Sequence, residues 1–376
     1  MNRPPRILFL IPHLGGGGAE QVTALLARGL SHQRYEVHLG LVAQKDGGAD
    51  SLPSWVHLHP LGAPRVRAGA LRLIGLVRRL KPDLILSGMA HLNFLVLLLR
   101  PFFPAGTRVL VRQNGTVSTS LAFPGLPIYT GLLYRLLYRR ADRILCQTPA
   151  MAEDLATELG LPRPMLAVLP NPVDLDAIRA TMLNSPRLPS SPNSISAEPH
   201  LLAVGRLSRE KGFDLLLEAF AAVRERFPAA ALTIAGTGPQ EAELKALAQA
   251  LGLGTAVCFA GYAAQPAAYF PAATAFVLSS RHEGLPNALL EAAAGGLPIV
   301  ALPSSQGVVE LVCNQPGVWL AAEISAEALA ATLFEALTSL LPGQRFAHPW
   351  IEEFRLDRAI QACECLIDAA LEVKKQ

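Results

Sequence analysis

The same short pattern occurs twice in this chain, and it constrains the fold more than any other feature. Residues 7–11 form an apolar run closed by Pro12. Gly15-Gly16-Gly17-Gly18 follows, and then helical spacing over 19–30. Further strand-length runs at 36–42, 84–87, 108–112, 143–146 and 166–169 alternate with helical stretches. Residues 183–200 interrupt this as a Ser- and Pro-rich linker or surface loop without periodicity. The pattern then restarts. A strand over 201–204 leads into Gly205-Arg206, and a helix from Asp214 carries Leu216, Phe220, Val223 and Phe227 on one face. Strands are expected again over 231–235, 257–260, 275–278 and 299–301. Short apolar strands alternating with helices predict parallel, doubly wound sheets. The expected organisation is an α/β domain over 1–171, a second over 172–349, and a helix or helix pair from 350 to 376. Two such domains in tandem predict a cleft between them, with ligands at the carboxyl ends of the strands.

The chain has 376 residues, 51% hydrophobic and 17% charged, which excludes a disordered chain or a coiled coil. Charge is unevenly spread. Residues 1–171 carry 19 Lys and Arg against 9 Asp and Glu, and the remainder carries 14 against 21. The first half therefore suits an anionic partner. Five scattered cysteines do not read as a disulfide framework and predict a reducing compartment. Cys363 and Cys365 are read as packing residues, because positions two apart on a helix do not face each other. The run at 7–11 is too short for the core of a secretory signal, and no stretch reaches a membrane span. A cytoplasmic location is expected.

Three segments carry chemistry. The glycines at 15–18 sit between a strand and a helix, where backbone amides can approach an anion or simply make a tight turn. Glu20 and the lack of a following Lys-Ser/Thr exclude a dinucleotide fingerprint and a P-loop. Gly205-Arg206-Leu207-Ser208-Arg209-Glu210-Lys211-Gly212 places two cations, Arg206 and Lys211, in one loop at a strand end, where they can neutralise a diphosphate. In Ser280-Arg281-His282-Glu283-Gly284-Leu285-Pro286-Asn287-Ala288-Leu289-Leu290-Glu291, Pro286 fits the first turn of a helix. Glu283 then lies in the preceding loop, beside the backbone of Gly284 and Leu285, and Glu291 lies inside the helix.

Together these segments resemble the retaining glycosyltransferases of family 4. The resemblance spans nearly the whole chain and rests on Glu283-x7-Glu291, GRLSREKGFD, IAGTGP, PNPVD at 170–174 and GGGGAE. It implies the GT-B fold, with two Rossmann-like domains facing a cleft, and a nucleotide-diphosphate sugar as donor, UDP being the first expectation. It further implies that Arg206 and Lys211 hold the diphosphate, Glu291 the ribose and Glu283 the donor sugar. Gly261 and Tyr262 would hold the base, and the Gly15–Gly18 amides would close on the phosphates. No metal or other cofactor is expected. Asp174-Leu175-Asp176 is read as a turn and helix start, not a metal motif. Many relatives place a His near the acceptor. Asn114 occupies the matching strand end, and His91 and His13 are the other candidates. Basic stretches at 65–81 and 131–143, the second mixed with Leu and Tyr, suit an anionic membrane surface and a lipid-linked or glycan acceptor. No nucleic-acid module is present. The competing readings are a same-fold epimerase or phosphorylase, and a non-catalytic sugar-nucleotide-binding scaffold. Intact Arg206, Lys211, Glu283 and Glu291 argue against the scaffold.

Overall fold

Alternating burial builds both sheets. Along the first strand, Leu8 and Leu10 join one core cluster, and Ile7, Phe9 and Ile11 join the cluster on the opposite face. A strand apolar on both sides needs helices on both sides, and each fully buried Leu or Ile contributes roughly 1.5–3 kcal/mol. The computed structural model describes residues 3–15, 17–43, 52–122, 129–185 and 198–372, and divides into two units.

Unit 1 comprises Met1–Pro172 and Leu356–Gln376. Its strands among the described residues are β1 (Arg6–Ile11), β2 (Glu36–Ala43), β3 (His57–Ala63), β4 (Leu84–Gly88), β5 (Arg108–Arg112), β6 (Arg143–Cys146) and β7 (Leu166–Val168). All pair parallel in the order β3-β2-β1-β4-β5-β6-β7. The order reverses between β1 and β4, so their carboxyl ends flank the switch point of this sheet. The helix Leu356–Glu372 packs Cys363, Ile367 and Ala370 into this unit's core. Its Glu364 accepts from the Ser31 backbone N–H, and Asp368 accepts from the Tyr35 hydroxyl.

Unit 2 is Val173–Arg355. Its described strands are β8 (His200–Val204), β9 (Ala231–Ala235), β10 (Val257–Gly261), β11 (Ala275–Leu278), β12 (Ile299–Ala301) and β13 (Val318–Leu320), again parallel, ordered β10-β9-β8-β11-β12-β13. The switch point lies between β8 and β11. Asp174 caps the helix Leu175–Asn184, its Oδ1 accepting from Ala177 N–H at 2.9 Å, as a turn and helix start requires.

Several expectations need correction. Leu183 and Asn184 close that helix rather than open a linker, and residues 186–197 lie outside the described residues. Cys363 is buried, but Cys365 is exposed and is not a packing residue. Pro286 precedes the helix Asn287–Ala294 as its cap and does not sit inside it. In keeping with the expectation that no stretch reaches a membrane span, the apolar residues up to Leu99 form a ten-residue core helix, Ala90–Leu99, whose buried Asn93 donates to the Arg112 carbonyl at 2.9 Å. No helix among the described residues is long and apolar enough to cross a membrane.

Strands β2 and β3 bring three histidines together. His38 Nδ1 lies 3.0 Å from His59 Nε2, and its ring stacks on His57. Burial drives the His38 imidazole down to about 4, against the pull of Glu36 and with the help of His59 and His57. The unfolded chain therefore binds a proton near pH 6.5 that the native state refuses, and stability falls as pH drops from there towards 4. The expected loss from His38 is about 3 kcal/mol. Urea unfolding at pH 7.5 and pH 5 should show about 2 kcal/mol of it, and His38→Gln should flatten the slope. An unchanged slope would assign the acid lability elsewhere.

Candidate active site

The strongest cluster of reactive groups lies at the unit 2 switch point. The loop after β8 carries Arg206 and Lys211, and the loop after β11 carries Ser280 and Glu283. Lys211 Nζ donates to Glu283 Oε1 at 2.5 Å, and Ser280 Oγ donates to the same oxygen at 2.6 Å. The Glu283 side chain is only 10% exposed and that of Lys211 25%, so the pair is partly shielded from water. Glu283 N–H also donates to the Ser304 carbonyl, tying the loop to the segment after β12.

A set of contacts holds the two loops in register. Arg281 and Asp214 make a forked pair at 2.6 and 2.7 Å. Burial pushes the Asp214 carboxyl up, but the guanidinium holds it below the usual carboxylate range. Its hydrogen bond to Asp214 in turn holds Arg281 above its ordinary value. Ser279 Oγ donates to the Lys211 carbonyl, and Arg281 N–H donates to that of Glu210. Gly212 has φ +62°, and a Cβ there would lie 2.1 Å from the Ser279 carbonyl oxygen, so the loops meet only because residue 212 lacks a side chain. The aliphatic stem of Lys211 crosses Gly205, with Cδ 3.4 Å from where a Cβ would stand.

Glu291 differs from Glu283. It lies partly buried in the helix Asn287–Ala294, with no hydrogen-bond or ion-pair partner for its carboxyl among the described residues. Burial alone pushes its carboxyl up to about 7. A lone carboxyl at that value is poised to gain hydroxyl donors from a ligand.

The remaining expected site residues fall into place as follows. Arg206 is exposed beside this cluster, without a carboxylate partner among the described residues. Gly261 ends β10 with φ +71° and accepts from Gly236 N–H, and Tyr262 next to it is 56% exposed. The Leu285 side chain is in the core, so any part it has in the site falls to its backbone, beside buried Gly284.

Asn114, His13, His91 and the glycine loop belong to unit 1. Asn114 follows β5 and accepts from Gln147 Nε2 at 3.3 Å. Gly15 N–H donates to His13 Nδ1. Gly16 lies outside the described residues. The helix Gly18–Gly29 begins at Gly18, after Gly17 as its cap, and the carboxylate of buried Glu20 lies against Gly17. A phosphate entering that loop meets a carboxylate already there.

Sequence reading missed Ser280, Ser304, the Arg281–Asp214 fork and the glycines that let the loops touch. The glycines themselves, Gly212 closing the loop after β8 and Gly236 directly after β9, were the available pointers.

Comparison with known proteins shows the family and the fold. The family described as Glycosyltransferase Family 4 matches residues 16–177, and Glycosyl transferases group 1 matches 185–353. The chain belongs to the family 4 glycosyltransferases. It is 27% identical to an uncharacterized glycosyltransferase of Methanocaldococcus jannaschii over 65% of this chain and 61% of that protein. It is 28% identical over 81% of this chain and 82% of its counterpart to a Campylobacter jejuni enzyme, N-acetylgalactosamine-N,N'-diacetylbacillosaminyl-diphospho-undecaprenol 4-alpha-N-acetylgalactosaminyltransferase. Among solved structures, HepE of Anabaena in complex with UDP-glucose superposes with a TM-score of 0.79 at 18% identity, covering 97% of this chain and 99% of that one. The fold is GT-B, two Rossmann-like domains, as such neighbours have.

Proposed function

We propose that this family 4 protein transfers a sugar from a nucleotide-diphosphate sugar, UDP-linked in the first instance, to a lipid-linked or glycan acceptor in surface polysaccharide or lipopolysaccharide synthesis. The Lys211–Glu283–Ser280 cluster at the β8/β11 switch point carries the reading. A cation and a carboxylate fixed at one point suit a donor with an anionic leaving group on one side and sugar hydroxyls on the other. Arg206 and Lys211 stabilise the departing diphosphate, which needs no metal. Glu283 accepts from the sugar hydroxyls, and Glu291 from the ribose. Gly261 and Tyr262 lie against the base. Attack on the same face retains the anomeric configuration, and the departing phosphate takes the acceptor proton. Glu20 beside Gly17 leaves the diphosphate to unit 2 in this reading. Asn114 orients the acceptor by hydrogen bonding, since an amide exchanges no proton at neutral pH.

The test is binding of UDP-, GDP-, ADP- and dTDP-sugars without added metal, repeated from pH 6 to pH 8. One preferred donor is expected. If Glu291 binds the ribose as a carboxylate, the Kd should tighten about tenfold across that range, because ionised Glu291 is scarce below its value of about 7. Glu291→Gln should bind more weakly at pH 8, by roughly 1.5–3 kcal/mol, and show no such slope. Failure of every donor to bind would favour a scaffold, and an epimerised product the epimerase reading.

The acceptor reading also predicts peripheral membrane association. The helix Thr130–Tyr138 exposes Leu132 and Leu136, each 57%, beside Arg135, Arg139 and Arg140. Flotation with anionic vesicles is expected for the native chain, and Leu132→Asp/Leu136→Asp should abolish it. Equal recovery with neutral vesicles would remove the electrostatic part of the reading.

A further inference from the structure

Unit 1 holds a cavity of about 340 Å³ lined by Arg65, Val66, Arg67, His91 and Leu95. Its size is at the lower end of small-molecule sites. Among its described lining residues, Arg65, Arg67 and His91 carry or can gain positive charge and none is acidic. Neither Arg65 nor Arg67 has a carboxylate partner among the described residues, unlike Arg3, Arg6, Arg100 and Arg108, each of which is paired with an acid.

The walls are held by the fold. Arg65 caps the short 3-10 turn Val66–Gly69. Arg72 donates to the carbonyls of Leu61 and Gly62, both at 2.6 Å, and so fixes the segment leading to Arg65. His91 lies in the first turn of the helix Ala90–Leu99, two residues after Met89, whose φ of 114° is a conformation that costs a non-glycine residue energy and clusters at functional sites. Burial holds the His91 imidazole below its ordinary value, with Glu20 pulling it up and His13 pushing it down. The cavity therefore adjoins the β1/β4 switch point of its sheet.

Resting on the transferase reading, we infer that this cavity takes the phosphate or diphosphate group of the acceptor. Two guanidinia two residues apart, with no carboxylate partner among the described residues, suit a group with two negative charges and oxygens to fill both forks. Val66 and Leu95 offer the organic part of that acceptor an apolar wall. A neutral glycan would bring neither arginine a counter-charge. The phosphate can come from a lipid-linked diphosphate or from a free sugar phosphate, and both present the same anion.

The test uses the full chain with 13C-labelled histidine. Farnesyl diphosphate and inorganic diphosphate are titrated separately while the His91 ring resonance is followed by NMR. This local reporter separates binding here from diphosphate binding at Arg206 and Lys211. A bound anion should move the His91 resonance and raise its titration midpoint. Arg65→Ala/Arg67→Ala, both on exposed side chains, should weaken that response about tenfold or more with an unchanged unfolding midpoint. Tighter binding of the farnesyl compound names a lipid-linked source, and equal binding a free phosphate. No His91 response, or equal affinity in native chain and variant, overturns the proposal. If sugar nucleotides fail to bind while the His91 response persists, the transferase reading falls and the anion site stands.

Discussion

Lys211→Ala is expected to lower kcat/KM by about 10²–10³, the usual effect of removing one group that stabilises developing charge in a shielded site. Two losses combine. In the proposed reaction the leaving diphosphate would lose a cation, and Glu283, 10% exposed, loses the ammonium 2.5 Å away that fixes its orientation together with Ser280. Because the charge on the diphosphate grows as the glycosidic bond breaks, kcat should fall more than KM rises. Lys211→Arg keeps the charge but not the compact geometry, and should recover only part of the activity. Kinetics of the three proteins with one donor decide the matter. An alanine variant with native kcat and a raised KM would make Lys211 a ground-state binding residue and leave the transition-state role to Arg206.

Gly236→Ala is expected to be as damaging by a purely steric route. Gly236 has φ +153°, and a Cβ there would lie 1.8 Å from the Gly205 carbonyl oxygen and 2.9 Å from its carbon. Backbone cannot swing aside as a side-chain tip can. Strain and overpacking together should cost about 3 kcal/mol or more. Relief requires moving Gly205, which donates to the Ala235 carbonyl and supports the stem of Lys211. Stability and donor affinity should therefore fall together. Gly252→Ala is the control, since no atom lies within 4 Å of a Cβ there and only its φ of +68° is penalised. Urea unfolding and donor titration read both effects. A Gly236→Ala variant within 0.5 kcal/mol of the native chain, roughly the scatter of surface substitutions, would show that the loops yield.

The parallel sheets were legible because their central strands are apolar on both faces. The two strands that sequence reading missed lack that signal. β3 reads HLHPLGA, with Pro60 and Gly62 in an edge strand whose residues are largely half-buried. β13 has three residues and none fully buried. The residue types of the candidate site, Arg206, Lys211, Glu283 and Glu291, could be named from sequence, but the contacts that join them could not. Lys211 meets Glu283 across 72 positions, and Arg281 meets Asp214 across 67. No local spacing encodes such contacts. The difference between the two acids, one clamped by a lysine and a serine and one alone and pushed up to about 7, depends on three-dimensional surroundings.

The course of the chain sets an order of manufacture. Unit 2 is one uninterrupted stretch, Val173–Arg355, and all of it has been made before the helix Leu356–Glu372 exists. Unit 1 starts first and finishes last. Its core includes Cys363, Ile367 and Ala370, and its Ser31 and Tyr35 are bonded to Glu364 and Asp368. On the ribosome, the amino-terminal sheet must wait with one face only partly covered, by the helix Gly18–Gly29, while nearly two hundred further residues emerge, a period in which exposed apolar surface invites aggregation. A chain ending directly after Arg355 would carry a finished unit 2 attached to an unfinished unit 1.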